Sequence, residues 1–411
     1  MSARRSVLVC VLACVSLVIP TTSFAQTTAW VHQFGTPEYE EGWGPLVVDS
    51  VLYVSGWTAG TLPGEMSAGG GDGFVRAYDL DGNELWTTQF GTSEEDHAWS
   101  LASDATGLYV TGFTLGAFEG QTAMGDLDAF VAKLGFDGSL AWVTQFGTHR
   151  FDLGSNVVAD ASGVYVAGGT SGRFPGQEID GSDAFQARLT SGGVLDWIVQ
   201  FGGPGAQNGY ANVIGTDGIY VNGLTQSDGK PDMFVALFQP DGTISWSKTF
   251  GTHENDFTYG LTADASGVYV TGETDGVFSG QVDRRGADAF AMLLSPVGGS
   301  TVWRRQFGTS GFDSAFGAMV DGGTLYTVGA TTGGFGGQAN AGGADGFLQM
   351  IDGATGAKIS TLQFGTDRDD HVYADWVDGT AAYLVGVTQG TFPGETKSTH
   401  SDVLVARIDL A

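Results

Sequence analysis

Apolar positions along most of this chain fall in short runs, rich in Val, Tyr, Phe and Trp and separated by Asp-Gly, Ser-Gly and other glycine-containing turns. That pattern predicts β-strands. In one stretch the predicted strands are residues 99–103, 108–114, 128–134 and 140–146. Asp137-Gly138 joins the last two, and Asp81-Gly82 and Asp241-Gly242 stand at the same place elsewhere, as tight hairpins require. No helical period competes with this reading.

The strand pattern repeats seven times. Phe-Gly pairs in a shared context begin at Phe34, Phe90, Phe146, Phe201, Phe250, Phe307 and Phe364. Trp30, Trp86, Trp142, Trp197, Trp246 and Trp303 lie four residues before the first six, on the same strand face, and Ser360 takes that place in the seventh. Tyr-x-x-Gly-x-Thr then begins at Tyr53, Tyr109, Tyr165, Tyr220, Tyr269, Tyr326 and Tyr383. An Asp-x-Phe follows at Asp72, Asp128, Asp183, Asp232, Asp288 and Asp345, with Asp402-Val403-Leu404 as the seventh variant. Four-stranded units in this number predict an all-β, single seven-bladed β-propeller, because each blade must bury both faces against neighbours. Residues 30–34 match the outer strand of a blade, whereas the chain stops on a third strand at 403–409. The N-terminal strand is therefore expected to complete the last blade and remove an open edge.

These units resemble the bacterial repeat named after the seven-bladed β-propeller, the SBBP repeat. Its pattern of Trp, Gln-Phe-Gly-Thr, Asp, Tyr-Val-x-Gly-x-Thr and Asp-Ala-Phe-Val-Ala-Lys-Leu runs through residues 30–409, and residues 128–134 carry the last stretch in full. The resemblance implies a structural repeat of exported and cell-surface proteins and names no ligand. The fourth repeat departs most, shortening its long loop to residues 226–231, which should notch one sector of the rim.

Residues 1–25 read as a signal peptide and 26–411 as the propeller. Arg4 and Arg5 precede an apolar run over 7–20, and Ser23-Phe24-Ala25 offers a small-residue cleavage site. Cys10 and Cys14 leave with that leader, so an exported chain must hold together by packing alone. The formal charge of −29 becomes two units more negative once the two arginines are removed. Such a surface repels nucleic acid and anionic lipid and suits cations, glycans or basic proteins. No later apolar stretch is long enough to span a bilayer, and a monomer without membrane insertion is expected.

Candidate chemistry concentrates in the loops that join blades. An acid stands five residues after each Phe-Gly glycine at Glu40, Asp96, Asp152, Asp256, Asp313 and Asp370, with Gln207 breaking the series. One task for a repeated acid is accepting backbone N–H groups in its own loop. A second is suggested by what differs between blades: Glu38, Glu40, Glu41, Glu94, Glu95, Asp96, Asp369 and Asp370, with Asp367, would crowd one arc of a closed ring. Oxygen-rich crowding of that kind suits Ca²⁺. Eight residues after the same glycines stand Trp43, Trp99, Tyr210, Tyr259, Phe316 and Tyr373, interrupted by Ser155. They either pack between blades or, with Trp43, Trp99 and Tyr373 foremost, offer aromatic faces to a glycan or protein. His97, His149, His253 and His371 occupy the same loops singly and read as solvated surface residues.

Enzyme motifs are sparse. There is no Gly-x-Ser-x-Gly, His-Glu-x-x-His or phosphate-binding glycine loop. The sequence thus points to a secreted, non-enzymatic binding or display module, with Ca²⁺ as a candidate stabiliser. A carbohydrate-active enzyme or lectin using carboxylates and aromatics, and a purely structural envelope or matrix protein, are the alternatives.

Overall fold

The computed structural model describes residues 26–410 apart from 179–181, 204, 227–228 and 283. The expected leader with its two cysteines lies outside the described residues, as do Ser227 and Asp228 of the shortened loop. Among the described residues, strands β1 to β28, numbered in chain order, form seven four-stranded antiparallel sheets. No helix among them is long and apolar enough to cross a membrane.

The innermost strands are β2 (Glu40–Val48), β6 (Asp96–Asp104), β10 (Asp152–Asp160), β14 (Gln207–Gly215), β18 (Asp256–Asp264), β22 (Asp313–Asp321) and β26 (Asp370–Val377). Each contacts the inner strand of the next blade, and β26 contacts β2, so the ring is closed. The inner strand of the second blade starts earlier than the 99–103 that its apolar pattern predicts. Asp96 pairs with Thr114 and so belongs to β6, with its carboxylate buried against Thr92.

Closure works as the sequence implies. β1 (Thr27–Phe34) pairs antiparallel with β28 (Asp402–Asp409), which pairs in turn with β27 (Ala381–Thr388). The Gln33 amide donates to the Asp402 carboxylate at 2.6 Å and to the Gly390 carbonyl at 2.8 Å, while its oxygen accepts the Phe392 N–H at 3.2 Å. Gln89, Gln145, Gln200, Gln306 and Gln363 make the same three contacts within their own blades. The N-terminal strand therefore brings its own copy of the lock to the last blade. In the fourth blade Thr249 replaces the glutamine, consistent with the loop it would have held being short.

The blades are joined by aromatics. Trp30, Trp86, Trp197, Trp246 and Trp303 each donate their indole N–H to a backbone carbonyl in the turn of the following blade, at 2.8–3.2 Å. Tyr53, Tyr165, Tyr220 and Tyr269 lie 5.8–6.3 Å from Trp86, Trp197, Trp246 and Trp303, Tyr109 lies 6.1 Å from Trp142, and Tyr109, Tyr165, Tyr220, Tyr269 and Tyr383 are fully buried. Burying a ring of this size stabilises by roughly 2–3 kcal/mol, so inter-blade packing recurs as a large term around the ring.

Candidate functional site

The aromatic residue at the start of each inner strand is placed by a β-bulge. In every blade the register between the first and second strand slips: between Gly42 and Gly44, Ala98 and Ser100, Gly154 and Asn156, Gly209 and Ala211, Thr258 and Leu261, Ala315 and Gly317, and Val372 and Ala374. The residue passed over is Trp43, Trp99, Ser155, Tyr210, Tyr259 with Gly260, Phe316 or Tyr373. A bulge leaves one residue without a cross-strand partner and re-aims its side chain. Here the seven side chains line the axial channel, which encloses a cavity of about 500 Å³.

Six of the seven are aromatic and touch in series. Ring centroids lie 6.3 Å apart for Trp99 and Trp43, 4.4 Å for the stacked pair Trp43 and Tyr373, 5.6 Å for Tyr373 and Phe316, 5.4 Å for Phe316 and Tyr259, and 6.1 Å for Tyr259 and Tyr210. The arc is open only at the third blade, where Ser155 and Asn156 line the cavity, with Asn208 of the fourth blade beside them. The rings pack against one another across blade boundaries, as one of the two expectations had it, and they also line the channel. Burial pushes the Tyr373 hydroxyl well above the usual tyrosine range, with the Glu41 carboxylate adding to the rise.

One channel residue escaped sequence reading. Asp375, two residues beyond Tyr373, lines the cavity, is 9% exposed, and has no hydrogen-bond partner on either carboxylate oxygen. Burial pushes its pKa up to about 8. Its counterparts in the second, third and fifth blades are the buried Leu101, Val157 and Leu261, and in the fourth Asn212, whose amide donates to the Tyr165 carbonyl. A carboxylate in a column of mostly apolar residues was the available signal.

The acids of the blade-joining loops divide into two groups. Glu40, Asp96 and Asp370 are fully buried, like Asp152, Asp256 and Asp313. Each accepts the backbone N–H of the Thr four residues earlier at 2.5–2.8 Å, and that Thr's hydroxyl as well. This is the loop-bracing task. Burial raises the pKa of all six, Asp96 to about 6. Each also faces the Asp-x-Phe acid of the preceding blade across the Phe-Gly glycine. At Gly91 a Cβ would lie 2.7 Å from Asp96 Oδ2 and closer still to Asp72 Oδ1, which is why glycine stands there. Glu38, Glu94, Glu95 and Asp369 instead point to solvent, with Glu41 between. Glu95 accepts from His97 at 2.8 Å, and Asp369 accepts the Ala344 N–H at 2.9 Å. Among the described residues no three acids or histidines are grouped to hold a metal ion.

The histidines also divide. His149 and His253 are exposed, as expected of surface residues. His97 is not: its ring is stacked between Trp57 at 4.6 Å and Phe113 at 4.4 Å, and burial lowers its pKa. His371 packs against Phe316 and Tyr373 and is lowered for the same reason. The repeat spacing placed both in loops and carried no information about the rings that cover them.

No family model matches the chain. The chain is similar to the Regulatory protein FlaEY of Caulobacter vibrioides, at 27% identity over 324 residues that cover 73% of this chain and 30% of that protein. It spans less than a third of the length of that curated relative. Among solved structures it is similar to the WD40 β-propeller domain of Doa1, with a TM-score of 0.54, 12% identity, and 93% and 96% of the two chains covered. The Pan2 WD40 domain of Neurospora crassa gives a TM-score of 0.53 at 10% identity, covering 94% and 96%. Likeness at this level of identity establishes the fold. The chain is a β-propeller.

Proposed function

We propose that this chain is the non-catalytic binding module of an exported protein of SBBP-repeat type, and that it captures its ligand at the aromatic mouth of the axial channel. The observation that carries this reading is the bulge conserved in all seven blades, which turns six aromatic side chains toward one cavity. A ring built only for packing between blades has no need to leave surface toward the axis. The leader-like residues 1–25 and the strongly acidic composition support export and argue for a partner that is neutral or basic. The braced acids of the blade-joining loops serve as scaffold, holding the segments from which the aromatics project.

A panel of oligosaccharides, organic amines, carboxylic acids and short peptides, screened by thermal shift and tryptophan fluorescence, tests the reading. At least one compound class should bind wild type and be lost in Trp43→Ala/Tyr373→Ala with the fold intact by circular dichroism. Ligands that bind both proteins equally would place recognition elsewhere on the molecule. Export is tested separately by fractionating cells that express the full chain, where the protein should leave the cytoplasm without residues 1–25.

A further inference from the structure

Among the described residues the cavity is lined by six aromatic rings and by neutral or apolar side chains, with Asp375 as the one acid in its wall. No Lys, Arg or His is among the described residues that line it. Aromatic faces carry negative potential, and a carboxyl adds to it once ionised, so both features of this wall favour a positive guest and disfavour an anion. The wall also lacks the internal partner that a buried acid ordinarily has. Asp375 lies against Gly317 of the neighbouring inner strand, where a Cβ would approach its Oδ1 to 2.8 Å, and neither of its oxygens is hydrogen-bonded. Burial disfavours its ionised form in the free protein, and a cation in the channel supplies what that form lacks.

We propose that the axial channel is a receptor site for a small organic cation, an alkylammonium group seated near Trp43 and Tyr373 and balanced by Asp375. The inference rests on the binding reading above and narrows it to one chemical class. The volume of about 500 Å³ is that of a small-molecule site. A bare metal ion fits poorly, because hard cations favour several carboxylate oxygens and the described wall offers one carboxyl, with only neutral amides and hydroxyls besides. Across the channel from the seventh blade, the gap in the arc presents Ser155, Asn156 and Asn208, neutral groups able to hydrogen-bond a hydroxyl or carbonyl on the rest of the guest.

Choline and its uncharged isostere 3,3-dimethylbutan-1-ol are the probes, titrated into the full mature chain by calorimetry and followed by tryptophan fluorescence. Choline should bind about tenfold or more tightly than the isostere, a difference of the size cation–π and carboxylate contacts supply. Asp375→Asn should weaken choline by about tenfold and leave the isostere unchanged, and Trp43→Ala should weaken choline by a similar factor. Glu94→Gln, which removes the same formal charge from an exposed loop position, should leave choline binding as in wild type. Equal binding of the two probes, no choline binding, or an Asp375→Asn protein that binds as wild type would each overturn the assignment. If oligosaccharides bind in the broader panel and depend on Trp43 while choline does not bind, the cation inference falls and the binding reading stands. If no compound of any class depends on the arc, both fall.

Discussion

The unpartnered Asp375 makes a stability prediction that needs no ligand. Its pKa is raised by burial to about 8, against about 3.9 for an exposed aspartate. Between these two values the folded state holds a proton that the unfolded chain has released. The stability this contributes is fully present below about pH 4 and is lost as pH rises through 8. Each unit of pH within that window costs about 1.4 kcal/mol, so moving from pH 5 to pH 9 should remove about 4 kcal/mol attributable to this one side chain. Asp375→Asn keeps the shape and cannot ionise. Urea unfolding of wild type and variant at pH 5 and pH 9 isolates the effect, because every other titrating group is common to both proteins. The variant should gain on wild type by roughly 3–5 kcal/mol between the two pH values, and it should be the more stable protein at pH 9. A difference between the two proteins that stays constant within about 1 kcal/mol across that range would show that water or a neighbour already satisfies the carboxylate, and the reasoning about the channel would lose its anchor.

Other consequences follow from the scaffold. Gln33→Ala removes the lock between β1 and β28 and leaves the buried Asp402 short of a donor, so it should lower stability by about 2–4 kcal/mol in thermal or urea unfolding. Gly91→Ala, which drives a methyl into Asp72 and Asp96, should cost about 3 kcal/mol or more, whereas Gly203→Ala, with open space around it, should change little by the same assay. For Asp96, raised to about 6 by burial, the stabilising proton is again lost as pH rises, here from about 4 through 6; Asp96→Asn should flatten that part of the stability profile by about 2–3 kcal/mol.

Much of this architecture was legible because it is periodic. The glutamine, tryptophan and tyrosine columns recur at fixed offsets, and the outer-strand pattern of residues 30–34 matches the place beside β28 that β1 takes. The acids at positions 40, 96 and 370 could be placed on adjoining loops by counting, yet counting does not tell which way a side chain points. The buried and exposed members of the acidic arc therefore separated only in three dimensions. The bulge was hidden for a related reason: it exists only in the register between two strands, and neither strand shows it alone. Trp43 and Tyr373 were candidates from spacing, and the bulge is what turns them to the channel. Asp375 is invisible to the repeat pattern because it belongs to no column shared between blades, and its significance lies in being unlike Leu101, Val157 and Leu261.

A crystal of residues 26–411 soaked in tetramethylarsonium, an anomalously scattering analogue of a quaternary ammonium, tests the central claim most directly. The account predicts an arsenic peak inside the axial channel, against the faces of Trp43 and Tyr373 and beside Asp375. An empty channel, or arsenic bound only on the outer surface of the blades, would contradict it.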